Sequence, residues 1–104
     1  MIDLNKLSKT IHEANVNKGI ALFGDDNHRE ALKAFEKALT FPENLGVGQS
    51  MRTQEAKAWF WKGKTLLAMN KNKKALSAWK SGAATFDGSE EQNRFKKLCA
   101  DLQK

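Results

Sequence analysis

The chain has 104 residues, of which 40% are hydrophobic, and its 18 Lys and Arg against 12 Asp and Glu give a formal net charge of +6 at pH 7. This length suits one small domain, residues 1–104, and no apolar run approaches the roughly 18 residues that a transmembrane helix needs. Seven Gly and a single Pro are too few for the regular tight turns of a β fold, so the composition predicts an all-α protein.

Five helices are predicted from the spacing of apolar residues and from the residues that start or stop a helix. Their predicted ranges are 3–23, 27–41, 51–69, 72–86 and 89–103. Asn27 followed by Glu30 has the spacing of a capping box that opens the second helix. That helix ends before Pro42, because proline cannot continue it, and segment 42–50 is predicted to be the longest loop.

Residues after the third helix, together with the N-terminal segment, predict the cap of the fourth helix and the cellular compartment of the protein. Asn70 or Asn72 is the expected cap of the fourth helix. The single cysteine, Cys99, excludes an internal disulfide and shares an apolar stripe in the fifth helix, so we expect a buried thiol in a reducing compartment. Because the first twenty residues include Asp3 and Glu13 and no long apolar run, they do not resemble a secretory signal, and we expect a cytoplasmic protein.

The chain matches itself at an offset of 44 residues. Gly19 aligns with Gly63, and the aromatic Phe35 aligns with Trp79. A glycine inside a helix costs about 1 kcal/mol relative to alanine, so two in register indicate a close approach of helices. The aligned aromatic residue is predicted to fill the neighbouring space, and Trp59 and Trp79 are expected in the core.

This pattern resembles the tetratricopeptide repeat, a helical hairpin of 34 residues. The second hairpin matches at Trp59, Gly63, Leu66, Ala75 and Trp79, and the first at Gly19, Leu22, Ala31, Phe35 and Ala38. The resemblance implies repeat one at about 12–44, an inserted loop and helix extension at about 42–56, repeat two at about 56–88, and a capping helix at 89–103. The offset departs from 34, so ten extra residues are expected to lengthen the loop, the start of helix three, or both.

The resemblance also implies a function, because the first helix of each tetratricopeptide hairpin lines a groove that receives a partner peptide. Carried over residue by residue, the expected partner-binding residues are Val16, Ile20, Phe23, Lys57, Phe60, Trp61, Lys64 and Leu67. Lysines border an apolar and aromatic strip in this set. We therefore expect a non-enzymatic protein-interaction module that binds a peptide or helix with apolar anchors and acidic flanks.

The positive charge is concentrated in the second hairpin. Residues 56–86 contain seven lysines and no Asp or Glu. Such a run is either a solvated surface or a docking field for an acidic partner. Two alternative functions remain open: nucleic-acid binding through this hairpin, and a structural homodimer.

No catalytic site, metal site or cofactor is predicted. The Gly-Lys-Thr tripeptide at 63–65 resembles the end of a phosphate-binding loop, but Ala58 stands at the earlier glycine position and the tripeptide falls inside a predicted helix. His12 and His28 lack Cys or His partners at a ligand spacing. The sequence therefore indicates a protein that is not an enzyme.

Overall fold

The computed structural model describes the backbone of residues 4–39, 49–85 and 90–103, and the side chains of residues 13–39, 55–85 and 90–103. Its helices are α1 (Leu4–Gly24), α2 (His28–Leu39), α3 (Gln49–Ala68), α4 (Asn72–Thr85) and α5 (Glu90–Leu102). The prediction of an all-α fold with about five helices is confirmed. Among the described residues, no helix combines the length and the apolar character that crossing a membrane requires.

The connection between α2 and α3 lies largely outside the described residues. Residues 40–48 are not described, so the predicted end of the second helix at 41 and most of the predicted loop 42–50 fall there. Residues 49 and 50 are helical, so the loop prediction is wrong at these two positions, and the helical stretch 49–55 lies ahead of the predicted start of repeat two at about 56. Part of the extra length between the two repeats therefore extends α3, as the sequence allowed.

The turn between α1 and α2 is closed by backbone hydrogen bonds. Asp26 has a positive φ of 61°, the left-handed conformation that commonly ends a helix. The Asn27 N–H donates to the Leu22 carbonyl at 2.9 Å, and the Asp26 N–H donates to the Phe23 carbonyl at 3.0 Å. These two bonds form a Schellman motif, which satisfies carbonyls that the end of α1 leaves without helical partners.

The same turn recurs 44 residues later, between α3 and α4. Asn70 has a φ of 62°, and the Lys71 N–H donates to the Leu66 carbonyl at 2.8 Å. Asn70 therefore ends α3, whereas Asn72 is the first residue of α4. The prediction that one of these asparagines is the cap of α4 is wrong, because the backbone carbonyl of Lys71 accepts the first α4 bond, from Ala75.

The start of α2 departs from the predicted capping box in one detail. Asn27 directly precedes α2, and its carbonyl accepts the Ala31 N–H at 3.0 Å, as expected of a cap. In a capping box the Asn27 N–H would bond to Glu30, but here it donates to Leu22 in the Schellman motif. Glu30 instead lies 3.4 Å from the Lys33 ammonium.

One glycine in each hairpin allows its two helices to approach closely. A Cβ added at Gly19 would lie 2.5 Å from Cε1 of Phe35, and a Cβ added at Gly63 would overlap the Trp79 indole. Each aromatic ring thus packs directly on the backbone of the preceding helix. The predicted close approach at both glycines is confirmed.

The helices pack as two successive hairpins followed by α5. Helices α1 and α3 lie side by side, α2 contacts both, and α4 contacts α3 and α5. The first core cluster comprises Val16, Ala31, Phe35, Ala38 and Ala58. Two further clusters comprise Leu66, Ala75 and Ala78, and Trp79, Ala83, Phe95 and Cys99. These clusters fix α1, α3 and α5 relative to one another.

Trp79 and Cys99 are buried, as predicted, whereas Trp59, which was also expected in the core, is only half-buried. Trp79 is 3% exposed and Cys99 is 8% exposed. Burial raises the pKa of the Cys99 thiol, although the nearby Lys80 ammonium acts in the opposite direction. Trp59 is half-buried against the second and third clusters, and the Lys62 ammonium lies 5.3 Å from the centre of its ring.

Candidate functional site

Three half-buried aromatic side chains form a continuous surface across α1 and α3. Phe23 lies at the end of α1, with its ring 5.4 Å from that of Trp61 at an interplanar angle of 66°. Trp61 lies 5.6 Å from Phe60 at 85°. Edge-to-face contacts at these separations are favourable for aromatic rings. We call Phe23, Trp61 and Phe60 the aromatic ridge.

A cation lies over the α3 part of the aromatic ridge. The Lys64 ammonium is 5.4 Å from the ring centre of Phe60 and 5.4 Å from that of Trp61. Lys64 is exposed, so its charge remains open to solvent while it contacts both rings. The arrangement places a positive charge directly beside an apolar surface.

Side chains beneath the aromatic ridge bond to the α3 backbone at the two ring-bearing residues. The Trp79 Nε1 donates to the Phe60 carbonyl at 3.2 Å. The Thr65 hydroxyl, whose residue is fully buried, donates to the Trp61 carbonyl at 2.7 Å. The Trp79 bond joins α4 to this segment of α3, whereas the Thr65 bond is internal to α3.

The partner of Phe23 at the α1 end is His28. The two rings are 5.0 Å apart with an interplanar angle of 57°. His28 is the first residue of α2, so the Schellman turn between α1 and α2 brings this ring back over Phe23. The turn therefore supports the end of the aromatic ridge.

A groove of about 510 Å³ lies between α3 and α5. It is lined by Ala56, Lys57, Phe60, Glu91, Arg94, Phe95, Lys97, Leu98 and Asp101. Phe60 belongs to both the aromatic ridge and this α3–α5 groove. The two surfaces are therefore continuous along α3.

The structure brings together five of the eight residues predicted to bind a partner. Phe23, Phe60, Trp61 and Lys64 form the aromatic ridge and its cation, and Lys57 lines the α3–α5 groove. Such a combination can bury apolar side chains and attract a carboxylate next to them.

Of the remaining three predicted residues, Val16 is fully buried and the other two are half-buried. Val16 is 0% exposed and lies in the first core cluster with Ala58, so its expected place on a groove surface is wrong. Ile20 is half-buried against the same cluster. Leu67 is half-buried against the second and third clusters.

The sequence prediction missed the contribution of α5 to this surface. Arg94, Lys97 and Leu98 line the α3–α5 groove, although α5 was expected only to cap the array. One feature of the sequence could have predicted this contribution, because basic residues flank the apolar stripe of Phe95 and Leu98 on one side of α5.

The tripeptide at 63–65 lies inside α3, flanked by helix on both sides. Gly63 contacts Trp79 there, and the Thr65 hydroxyl bonds to the α3 backbone. Neither residue has the strand–loop–helix surroundings in which such a sequence cradles phosphate. Within the described ranges, no three His, Cys, Asp or Glu side chains are placed to hold a metal ion.

Comparisons of the chain with known protein families, curated proteins and solved structures found no significant match.

Proposed function

We propose that this chain is a non-enzymatic protein-interaction module of the tetratricopeptide type. It binds a partner peptide or helix that has apolar anchors and acidic flanks. The observation that carries the proposal is the aromatic ridge, in which Phe23 of α1 and two residues of α3 form one apolar surface beneath the Lys64 ammonium. The two hairpins, with glycine packed on an aromatic ring in each, support the tetratricopeptide assignment.

The proposed acidity of the partner follows from the charge around the aromatic ridge. Lys57 and Lys64 are both exposed and lie two helical turns apart on α3. Residues 56–86 contain no carboxylate that could neutralise them within the hairpin. A carboxylate of the bound peptide would therefore form charge-assisted contacts with Lys57 or Lys64, while the apolar side chain next to it is buried.

The distribution of lysines favours a peptide over a nucleic acid. Lys64 lies over Phe60 and Trp61, whereas Lys62 lies over Trp59, and residues two apart on a helix do not face the same way. Further lysines are on α4, including Lys73 and Lys80. Lys62 and Lys64 therefore present their charges to different sides of α3, whereas a nucleic-acid backbone is bound by Lys and Arg clustered on one face.

The proposed compartment is the cytoplasm. The cysteine of the chain is a buried free thiol in α5, and nothing in the fold of the described residues depends on a disulfide.

A peptide selection tests the proposed function even though the natural partner is unidentified. Random peptides displayed on phage are selected on the immobilised wild-type chain, and the enriched peptides are synthesised for fluorescence anisotropy. We expect enrichment of large apolar residues with Asp or Glu beside them. Trp61→Ala should weaken binding at least about tenfold, because a large aromatic contact is lost. Lys64→Glu should weaken it about fivefold and reduce its salt dependence.

Lys71→Glu is the matched control for charge reversal. Lys71 is exposed in the turn before α4, away from the aromatic ridge, so this variant should bind as the wild type does. Enriched peptides without acidic residues, or equal losses in Lys64→Glu and Lys71→Glu, would contradict the proposal. Tight binding of a mixed-sequence RNA or DNA with a steep salt dependence, and no enriched peptide, would favour the nucleic-acid alternative.

A further inference from the structure

The α3–α5 groove has an apolar floor. Ala56 and Phe60 lie one turn apart on α3, and Phe95 and Leu98 lie one turn apart on α5. Both helices pack on α4. The volume of about 510 Å³ is within the range of pockets that bury most of a bound group, roughly 300–1,000 Å³.

Cations stand on both walls of this groove. Lys57 is exposed on the α3 wall, and Arg94 and Lys97 are exposed on the α5 wall. The lining residues on α3 include no carboxylate, whereas those on α5 also include Glu91 and Asp101. The α3 wall is therefore positive, the two cations and two carboxylates of the α5 wall balance, and the lining as a whole has one excess positive charge, which favours an anionic segment along the α3 side.

We propose that the α3–α5 groove is the anchor pocket of the same binding surface, where the largest apolar side chains of an acidic peptide enter. Phe60 joins the groove to the aromatic ridge, so one peptide can cross both surfaces. This inference rests on the proposed function and adds α5 to the binding site. Lys57 on α3 and Lys97 on α5 receive the carboxylates that flank the buried anchors.

The first test fills the groove. Ala56→Trp places an indole into the apolar floor, and the matched control Ala84→Trp places one on an exposed position of α4 outside the groove. Affinity for the peptides selected on the wild-type chain is measured by fluorescence anisotropy. We expect Ala56→Trp to weaken binding at least about thirtyfold, since the anchors lose their pocket, and Ala84→Trp to bind as the wild type does.

The second test changes one charge and leaves the core untouched. Lys97→Glu reverses a charge in the groove, and Lys96→Glu reverses the neighbouring exposed charge that does not line it. We expect Lys97→Glu to weaken binding about fivefold and Lys96→Glu to change it less than twofold. Both residues are exposed on the same helix, and thermal unfolding of the two variants tests whether they are equally stable, because Lys97→Glu also places a second carboxylate four residues before Asp101.

The outcomes separate this inference from the proposed function. If the selected peptides are sensitive to Trp61→Ala and Lys64→Glu but not to Ala56→Trp or Lys97→Glu, the groove inference is overturned and the proposed function stands. If no acidic peptide is enriched, both are overturned. If the wild-type chain is a dimer by light scattering and Ala56→Trp makes it a monomer, the occupant is a second copy of the chain, which also overturns the inference.

Discussion

The indole ring of Trp79 packs on the backbone of Gly63, and its Nε1 donates to the carbonyl of Phe60 at 3.2 Å. One side chain of α4 thus occupies the space that a Cβ at residue 63 would need and bonds to α3 one turn earlier. Phe35 packs in the same way on Gly19 in the first hairpin. The separation of the two helices in each hairpin is therefore set by an aromatic ring against a glycine.

Gly63→Ala should lower the free energy of unfolding by about 1–3 kcal/mol, because its Cβ would overlap the Trp79 indole and force α3 and α4 apart. The control is Gly24→Ala, since nothing lies within 4 Å of a Cβ at that position. There the ordinary helix preference for alanine should leave stability unchanged or raise it by up to about 1 kcal/mol. Urea denaturation of both variants checks this, and equal effects would contradict the packing account.

Trp79→Phe should lower the free energy of unfolding by about 1–2 kcal/mol, because it removes the hydrogen bond to Phe60 and part of a buried ring. The matched control is Trp61→Phe on the half-buried aromatic ridge, which should cost less than about 0.5 kcal/mol. Thermal and urea denaturation measure both. A larger loss from Trp61→Phe would show that the aromatic ridge, rather than Trp79, holds the hairpin together.

Asn70→Val should destabilise the fold by about 1–2 kcal/mol, because a β-branched residue is strained at the positive φ of 62° that ends α3. Asn72→Val, two residues later in the first turn of α4, introduces the same side chain at a helical position. We expect it to cost less than about 0.5 kcal/mol. Comparable losses in the two variants by denaturant unfolding would contradict a turn that depends on the left-handed residue.

The contribution of Cys99 to stability should fall at alkaline pH. Burial raises the pKa of the folded thiol above that of the unfolded thiol, about 8.5, so the unfolded chain releases this proton first as pH rises. The stabilisation is fully present below that pKa and is lost as pH rises through the higher pKa of the folded thiol. Cys99→Ala removes this titration, so the stability difference between wild type and variant should shrink from neutral pH to pH above about 9. A constant difference would contradict the burial effect.

The sequence predicted the helices and the repeat because both depend on local spacing. Where the structure describes residues on both sides of a helix end, the predicted end lies within one residue of the observed one, as at Gly24 of α1 and Leu102 of α5. The glycine and aromatic contacts follow from the offset of 44 residues, which keeps Gly19 with Phe35 and Gly63 with Trp79 in one register.

The prediction from the sequence was wrong where equivalent positions of the two repeats have different neighbours in the fold. Val16 and Phe60 are equivalent at the offset of 44 residues, yet Val16 is fully buried and Phe60 lines a groove. Helix α3 packs directly beside α1 and covers Val16, with Ala58 in the same cluster. Helix α5 leaves an opening beside α3, so Phe60 has space in front of it. Periodicity within one helix does not specify how closely the next helix approaches.

Partner binding on the aromatic ridge is tested most directly by the three tryptophan indole N–H signals. The ¹⁵N-labelled chain is titrated with a peptide from the selection while the signals of Trp59, Trp61 and Trp79 are followed by nuclear magnetic resonance. Trp61 lies on the aromatic ridge, whereas the Trp79 N–H bonds to the Phe60 carbonyl and the Trp59 Nε1 is buried. We predict that the Trp61 signal moves most. Backbone amide signals are recorded in the same spectra, and a saturable titration that moves those of α5 while the Trp61 indole signal stays in place would contradict binding on the aromatic ridge.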